Sequence, residues 1–367
     1  MKRILHCADL HLSASAGVRE YSMSVLEEIV KLGLSKDARY MLLAGDTFDS
    51  FDDAEKLRGE FREAMKPLQG KCEVILLAGN HEDIGRGKKK LSSFDLGIEP
   101  GNIIEKGGKP WRRLECDGIE FLAVPHQPDY REYMQWAVED KTAGCRIGIA
   151  HGIIAGMSFT GLSDDGEEDA SVIDSDLFQR FSVDYAAMGH IHSARKADFN
   201  ELTICYPGSA RVWRKGETGP RTVCLIEAGK VISVTDIELE SPGQYRKFDF
   251  FLGLDGDIGN TGEVSDVCTG SDYVDISFSG IVDDEQVLSA HIQELEKDLR
   301  SRVRVLEIER DSVSVLEGIS SQPLARKFLE QWEMKRPVNP DHYSMRVWEK
   351  SREVGLMKLK EALEAAQ

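Results

Sequence analysis

"ILHCADLHL" spans residues 4–12. An apolar run of this kind reads as a buried strand, yet it ends in Asp9 and His11 with a single residue between them. A strand places residues i and i+2 on one face, so the carboxylate and the imidazole are expected to project together from the strand's end. Burying both unpaired is costly. A metal ion removes that cost by taking lone pairs from both, and a mixed N/O pair suits manganese, iron or zinc. A lone Asp-x-His is common in surface loops and at helix N-caps, so the reading depends on partners elsewhere.

Such partners follow. Residues 1 to about 240 alternate short apolar runs with helix-like segments, the pattern of a layered α/β domain. "SMSVLEEIVKLGL" (22–34) and "DDAEKLRGEFREAM" (52–65) carry helical periodicity, while "RILHCA", "YMLLA", "EVILLA", "EFLAVP", "RIGIA" and "YAAMG" read as strands. What comes after the strands matters more. "YMLLAGDTFD" delivers Asp46 and Asp49, "EVILLAGNHE" Asn80 and His81, "RIGIAHG" His151, and "YAAMGHIHS" His190 and His192. Ligands of open α/β sheets bind at the carboxyl edge of the strands, so groups spread over 184 residues can converge there. Glycines 45, 79, 152 and 189 flank them and permit close approach. Five of the nine histidines lie at these strand ends, which random placement would rarely produce.

The ordered set D-x-H, G-D, G-N-H, H-G and G-H-x-H, covering residues 4–195, resembles the calcineurin-like metallophosphoesterase superfamily. The resemblance implies an α/β fold, a four-layer α-β-β-α sandwich, with two divalent metal ions, Mn2+ foremost and Fe or Zn also suited. By motif, one ion would be held by Asp9, His11 and His192 and the other by Asn80, His151 and His190, with Asp46 bridging. His81 would bind no metal and would face the scissile phosphate. Physical chemistry supports these roles separately. Two cations ~3.5–4 Å apart bring the pKa of a shared water from about 15.7 to near neutrality and clamp an in-line displacement, with a bridging hydroxide as nucleophile. Phosphoryl-type hydrolyses need accelerations of ~10⁶–10¹⁷, whereas a positioned general acid gives ~10²–10⁴, so metals must carry most of the catalysis. His81 is placed to stabilise the transition state or protonate the leaving alkoxide, with Glu82 or a backbone carbonyl fixing its tautomer.

"YPGSARVWRKGETGPRTVCLIE" (206–227) follows the histidine pair, and its Y-P-G-S opening and G-E-x-G middle are similar to the SbcD-type DNA repair exonucleases. These are nuclease subunits of complexes with a coiled-coil, SMC-like ATPase of the SbcC type. The implied function is a two-metal DNA exonuclease or endonuclease, with DNA, that ATPase and a second copy of the chain as partners. Two departures stand out: Ser13 follows the H-L pair where the family often has Gly, and "SASAGVREYS" is a short insertion. One alternative is a phosphoesterase for a cyclic nucleotide or phosphomonoester, which would share every metal ligand. The other is a non-enzymatic scaffold on the same fold, but such scaffolds lack ligands and here no position is missing.

Net charge bears on DNA. Lys and Arg total 46 against 64 Asp and Glu, a balance of -18 that argues against a globally basic nucleic-acid binder. Acid is unevenly spread, however, with ten carboxylates and no Lys or Arg over 248–285 and five more in "SDDGEED" (163–169). Screening over ~8 Å makes the local field decisive. Beside the expected site lie Arg86, Lys88, Lys89 and Lys90 of "GRGKKK", and Arg211, Arg214 and Lys215 after the histidine pair, all expected to contact DNA. Trp213 reads as packing or as a base-stacking platform, and His6 and His126 as structural. The seven cysteines are scattered without C-x-x-C spacing, and no run approaches the ~18 apolar residues that cross a bilayer. A reduced, cytoplasmic protein without membrane association is expected.

Residues 1–240 are thus expected to form the nuclease domain, 241–318 a smaller α/β capping domain and 319–367 a helical tail. Glycine-rich text over 241–272 reads as loops, followed by a strand, "DDEQVLSAHIQELEKDLRS" as helix, and a second strand. In the tail, "RPVNP" separates two helices carrying stripes at Leu324, Phe328, Trp332 and at Leu356, Leu359, Leu363. The resemblance implies that such a pair grips the ATPase coiled coil.

Overall fold

The computed structural model describes residues 2–365 apart from 83–88, 116–117, 128, 137–139, 156, 158–171, 230, 260 and 339–340. It divides into two compact units, Met1–Gln244 and Tyr245–Gln367.

The first unit runs β1 (Lys2–Cys7), α1 (Arg19–Ser35), β2 (Tyr40–Ala44), α2 (Phe51–Met65), β3 (Glu73–Leu77), β4 (Ile103–Ile104), β5 (Trp111–Leu114), β6 (Ile119–Ala123) and β7 (Cys145–His151). It continues with β8 (Ile153–Ile154), β9 (Val172–Ile173), α3 (Ser175–Arg180), β10 (Tyr185–Gly189), β11 (Arg195–Phe199), β12 (Leu202–Tyr206), β13 (Thr222–Ala228) and β14 (Ser233–Glu238). Two six-stranded sheets result, ordered β14-β13-β1-β2-β3-β4 and β11-β12-β10-β7-β6-β5.

Strand parity builds the layers. Leu5 and Cys7 of β1, Met41 and Leu43 of β2 and Leu76 of β3 pack with Leu26, Ile29, Leu57 and Phe61 of α1 and α2. The alternate residues Ile4, Tyr40, Leu42 and Ile75 meet Phe121, Ile147, Ile149 and Tyr185 of the second sheet. That sheet's other face, Leu122, Ala150, Ala186 and Met188, lies against Leu177 and Phe178 of α3. Helices, sheet, sheet and helix are the four layers expected. Because β1, β2 and β3 are mutually parallel, as are β7 and β10, their carboxyl ends open toward common edges.

The second unit contains β15 (Tyr245–Leu252), α4 (Gly262–Val267), β16 (Tyr273–Val282), α5 (Glu285–Arg300), β17 (Val305–Val315), α6 (Pro323–Glu333) and α7 (His342–Ala365). Its three strands form a parallel sheet, β15-β16-β17. The strand β15 corrects the expectation of loops after residue 240. Phe248, Phe250 and Leu252 alternate toward the core while Lys247, Asp249 and Phe251 point outward, a period-2 pattern submerged by the glycines that follow. Leu356 of α7 and Ala325 of α6 share a cluster with Ile281, Leu316 and Ile319, and Phe328 lies against Gly355, so the tail stripes pack on their own unit except at Leu324, which is exposed. Among the described residues no helix is long and apolar enough to cross a membrane.

Candidate metal centre

Asp9 and His11 are not on the strand. They follow β1 with left-handed backbone (φ +51° and +45°), so the turn and not the pleat aims them. The Asp9 and His11 N–H groups donate to the carbonyls of Gly45 and Asp46 at 3.1 and 3.0 Å, zipping the turn after β1 to the turn after β2. Asp46 (φ +47°) and His190 (φ +96°) have the same strained backbone, which costs ~1–3 kcal/mol per residue and clusters at functional sites. Glycine is required at two crossings. A Cβ on Gly45 would stand 2.0 Å from His151 Nδ1, and one on Gly189 1.9 Å from the Ala44 carbonyl.

All seven expected donors converge. His190 N–H donates to both carboxylate oxygens of Asp9 (2.9 and 3.0 Å). Ligand atoms of Asp9, His11 and His192 lie within 4.8 Å of one another, as do those of Asp9, Asp46 and His151. Asn80 Oδ1 stands 2.9 Å from His151 Nε2 and 3.3 Å from His190 Nδ1. His81 N–H donates to Asp46 Oδ1 at 3.0 Å.

Tautomers decide whether these groups fit a cation. His192 Nδ1 bonds the Glu217 carboxylate (2.6 Å), so its Nε2 keeps a lone pair, while His11 Nδ1 lies 3.4 Å from Asp49 Oδ1. The Nε2 atoms of His11 and His192 are 3.1 Å apart. Two nitrogens bound at ~2.1 Å to one ion in cis positions stand ~3.0–3.4 Å apart, so a shared cation fits this spacing. His151 repeats the arrangement. Its Nδ1–H donates to the Ala44 carbonyl (3.0 Å), turning Nε2 toward two oxygens, Asn80 Oδ1 and Asp46 Oδ2 (3.2 Å). The donor set therefore fits metal.

The bare site shows the same demand. Burial lowers His151, but Asp46 and Asp9 more than offset it and hold the imidazole up at about 9. Burial pushes the Asp9 carboxyl up to about 7, against the pull of His151 and His192. Burial depresses His11 to about 4 and His190 to about 3, keeping both rings neutral and available as ligands.

Three supporting residues take roles that the sequence alone does not show. Glu217 orients His192. Asp49 faces His11, accepts from Trp213 Nε1 (2.8 Å), and through its carbonyl accepts from His81 Nδ1 (3.0 Å). Trp213 stacks on His11 with ring centroids 4.2 Å apart and planes at 10°, so it packs the centre. Of the expected tautomer-setters for His81, the carbonyl is the one found. Glu82 instead accepts from the N–H groups of Gly79 and Phe48 (2.8 and 2.9 Å) and braces the G-D and G-N-H turns. His126 is structural, lying 3.1 Å from the His151 carbonyl, and His6 stands apart from the centre, against the Tyr185 hydroxyl.

The basic residues divide. Arg211 is buried, and its guanidinium donates to the Leu10 and His11 carbonyls, so it braces the first turn and is not a DNA contact. A cation's sequence position cannot show that such carbonyls lie beneath it. Arg214 lies over the Trp213 ring at 4.3 Å, Lys215 is half-buried, and exposed Lys89 pairs with Glu55 (2.8 Å) beside exposed Lys90. Arg86 and Lys88 lie outside the described residues.

Residues 2–194 match the family described as calcineurin-like phosphoesterase. The uncharacterised metallophosphoesterase YhaO of Bacillus subtilis is 21% identical over 242 residues, 60% of this chain and 56% of that protein. The chain thus spans little more than half of that relative's length. Among solved structures, a purple acid phosphatase from yellow lupin seeds (13% identity, TM-score 0.44) covers 65% of this chain and 51% of its own. A dimetal phosphatase from Danio rerio (10%, TM-score 0.40) covers 65% and 98%. With its family match covering more than half of its length, this chain belongs to the calcineurin-like phosphoesterase family of metal-dependent phosphoester hydrolases.

Proposed function

We propose that the chain is a two-metal phosphodiesterase acting on DNA, a nuclease of the SbcD type. The observation that carries the metal chemistry is the apposition of ring nitrogens at 3.1 Å in the His11–His192 pair, with a second acceptor cluster around His151. One ion is assigned to Asp9, His11 and His192, the other to Asn80, His151 and His190, with Asp46 between them. Bound divalent ions, Mn2+ in this proposal, supply Lewis acidity and a water activated near neutral pH.

The chain's own groups do the rest. His81 donates its Nδ1–H to the Asp49 carbonyl, so a proton for a leaving alkoxide has to come from Nε2 with both ring nitrogens protonated. Support for DNA comes from the 206–227 segment that resembles the nucleases, since its Arg211, Trp213 and Glu217 are built into the centre. Arg214, Lys215, Lys89 and Lys90 are the cations proposed to meet phosphates. Support for a coiled-coil ATPase partner comes from α7, where Tyr343, Val347, Val354 and Met357 are exposed at a/d spacing. The test is Mn2+-dependent hydrolysis of end-labelled duplex DNA alongside bis-p-nitrophenyl phosphate, with Asp46→Ala as control. Degradation of DNA by wild type alone is expected, and cleavage of the small diester alone would refute the substrate assignment.

A further inference from the structure

Between the two sheets of the first unit lies a second group of ligating side chains, which the proposed hydrolysis does not use. His6 of β1 sits directly opposite Cys224 of β13, and Cys224 directly opposite Asp236 of β14, so the three share one face of the first sheet. Cys205 of β12 meets them from the second sheet, its Sγ 3.3 Å from Cys224 Sγ. His6, Cys205 and Cys224 are all buried, and their ligand atoms lie within 4.8 Å of one another.

The imidazole is preset as a ligand. A carbonyl only accepts, so His6 Nε2–H donates to the Met188 carbonyl (3.2 Å) and Nδ1 keeps its lone pair, 2.9 Å from the Tyr185 hydroxyl. The Tyr185 hydroxyl also contacts the Cys205 thiol. A carbonyl that fixes the far nitrogen of a metal-binding histidine is a common outer-shell device. Two thiolates bound at ~2.3 Å to one tetrahedral ion stand ~3.7–3.8 Å apart, so the sulfurs need open by only a few tenths of an ångström. Asp236 Oδ1 lies 3.3 Å from Cys224 Sγ, outside the three mutually close donors, and its exposure on an edge strand gives the ion a way in.

We propose that His6, Cys205 and Cys224 bind a thiophilic divalent ion of the zinc class, stapling the two sheets together, with Asp236 at its entrance. Imidazole with two thiolates selects zinc, whereas the histidine and carboxylate centre above carries no sulfur donor. Binding displaces both thiol protons to solvent, and no bond changes oxidation state.

The full chain, produced in cells grown with Co2+ so that the ion enters during folding, is examined by absorption. A thiolate-to-cobalt charge-transfer band in the near ultraviolet is expected. It should be retained in Asp46→Ala, which disrupts only the other centre, and lost in Cys205→Ser and Cys224→Ser. Should the serine variants not fold, His6→Gln, which keeps both sulfurs, carries the test, with a shift of the visible tetrahedral bands expected. Cobalt-containing wild type without the band, or a denatured chain lacking two titratable thiols until reduced, would overturn the proposal, the latter by showing a disulfide. A band unmoved by any of the three variants would overturn it equally.

Discussion

His192 depends on a carboxylate in a loop 25 residues further on. Although burial pushes the Glu217 carboxyl up, His192, the Trp213 N–H and Arg221 together hold it below the ordinary range, so it stays charged and keeps the Nδ1 proton in place. Glu217→Gln is expected to weaken metal binding ~10–100-fold, measured as a displaced Mn2+ titration of activity that excess ion restores. Lost turnover at saturating Mn2+ would instead place Glu217 in the chemistry. His81→Gln should keep both ions by elemental analysis and lose ~10²–10⁴ in turnover, whereas Asp46→Ala should lose ions and turnover together. A pH signature follows from His151. Its folded value of about 9 exceeds the ordinary 6.5, so in metal-free protein it contributes stability that is full below pH 6.5 and lost as pH rises toward 9. A metal ion replaces that proton, so the gap in melting temperature between loaded and metal-free protein should widen over that window. A constant gap would place the ions elsewhere. The donors themselves were legible because they stand at the ends of apolar runs, Asp46, Asn80 and His190 directly after a glycine. The partners of Asp49, Trp213 and Glu217 were not, although all three lie in the motif stretches, because only the folded chain puts them against His11, His81 and His192.

The strands set how closely those donors pack. Gly189 ends β10 where the second sheet passes the Ala44 carbonyl of the first, and a methyl group there has 1.9 Å of room. Gly189→Ala is expected to cost ~3 kcal/mol, the upper end for overpacking, and to release His151 and His190 from register. Circular dichroism melting and metal content should fall together; normal metal content would show that the sheets can separate without cost. Most element positions were legible: β2 and β10 coincide with "YMLLA" and "YAAMG", and α2 begins one residue before its predicted start. The reading failed where tertiary contacts override local text. Asp9 and His11 were assigned to a pleat that ends at Cys7, because the left-handed turn is imposed by hydrogen bonds to β2's loop. In the tail, both stripes were visible, yet the surface left open on α7 is a different one. Val347→Asp with Val354→Asp should abolish binding to a coiled-coil ATPase fragment while leaving the melting temperature nearly unchanged, since exposed substitutions are typically within ~0.5 kcal/mol. A large thermal shift would show that this face packs within the unit.

Each compact unit has its own apolar clusters, three in Met1–Gln244 and two in Tyr245–Gln367, and the metal donors belong wholly to the first. Ligand binding to the folded state alone stabilises by about 2.7 kcal/mol at a free concentration ~100 times Kd. For a unit of this size, ~2–4 °C per kcal/mol converts that to a shift on the order of 5–10 °C. Calorimetry of the full chain should therefore resolve two transitions, of which a chelator lowers one. Asp46→Ala should remove the Mn2+-dependent part of that shift, and whatever chelator sensitivity persists in the variant reports the thiolate site between the sheets. The transition that never responds belongs to the second unit, where Asp275 and Glu307 of the Asp275, Glu307 and Glu309 cluster already accept from the Tyr245 and Tyr273 hydroxyls. If both transitions moved together on chelation, the two units would unfold as one cooperative body, and metal bound at the strand ends of the first would stabilise the whole chain.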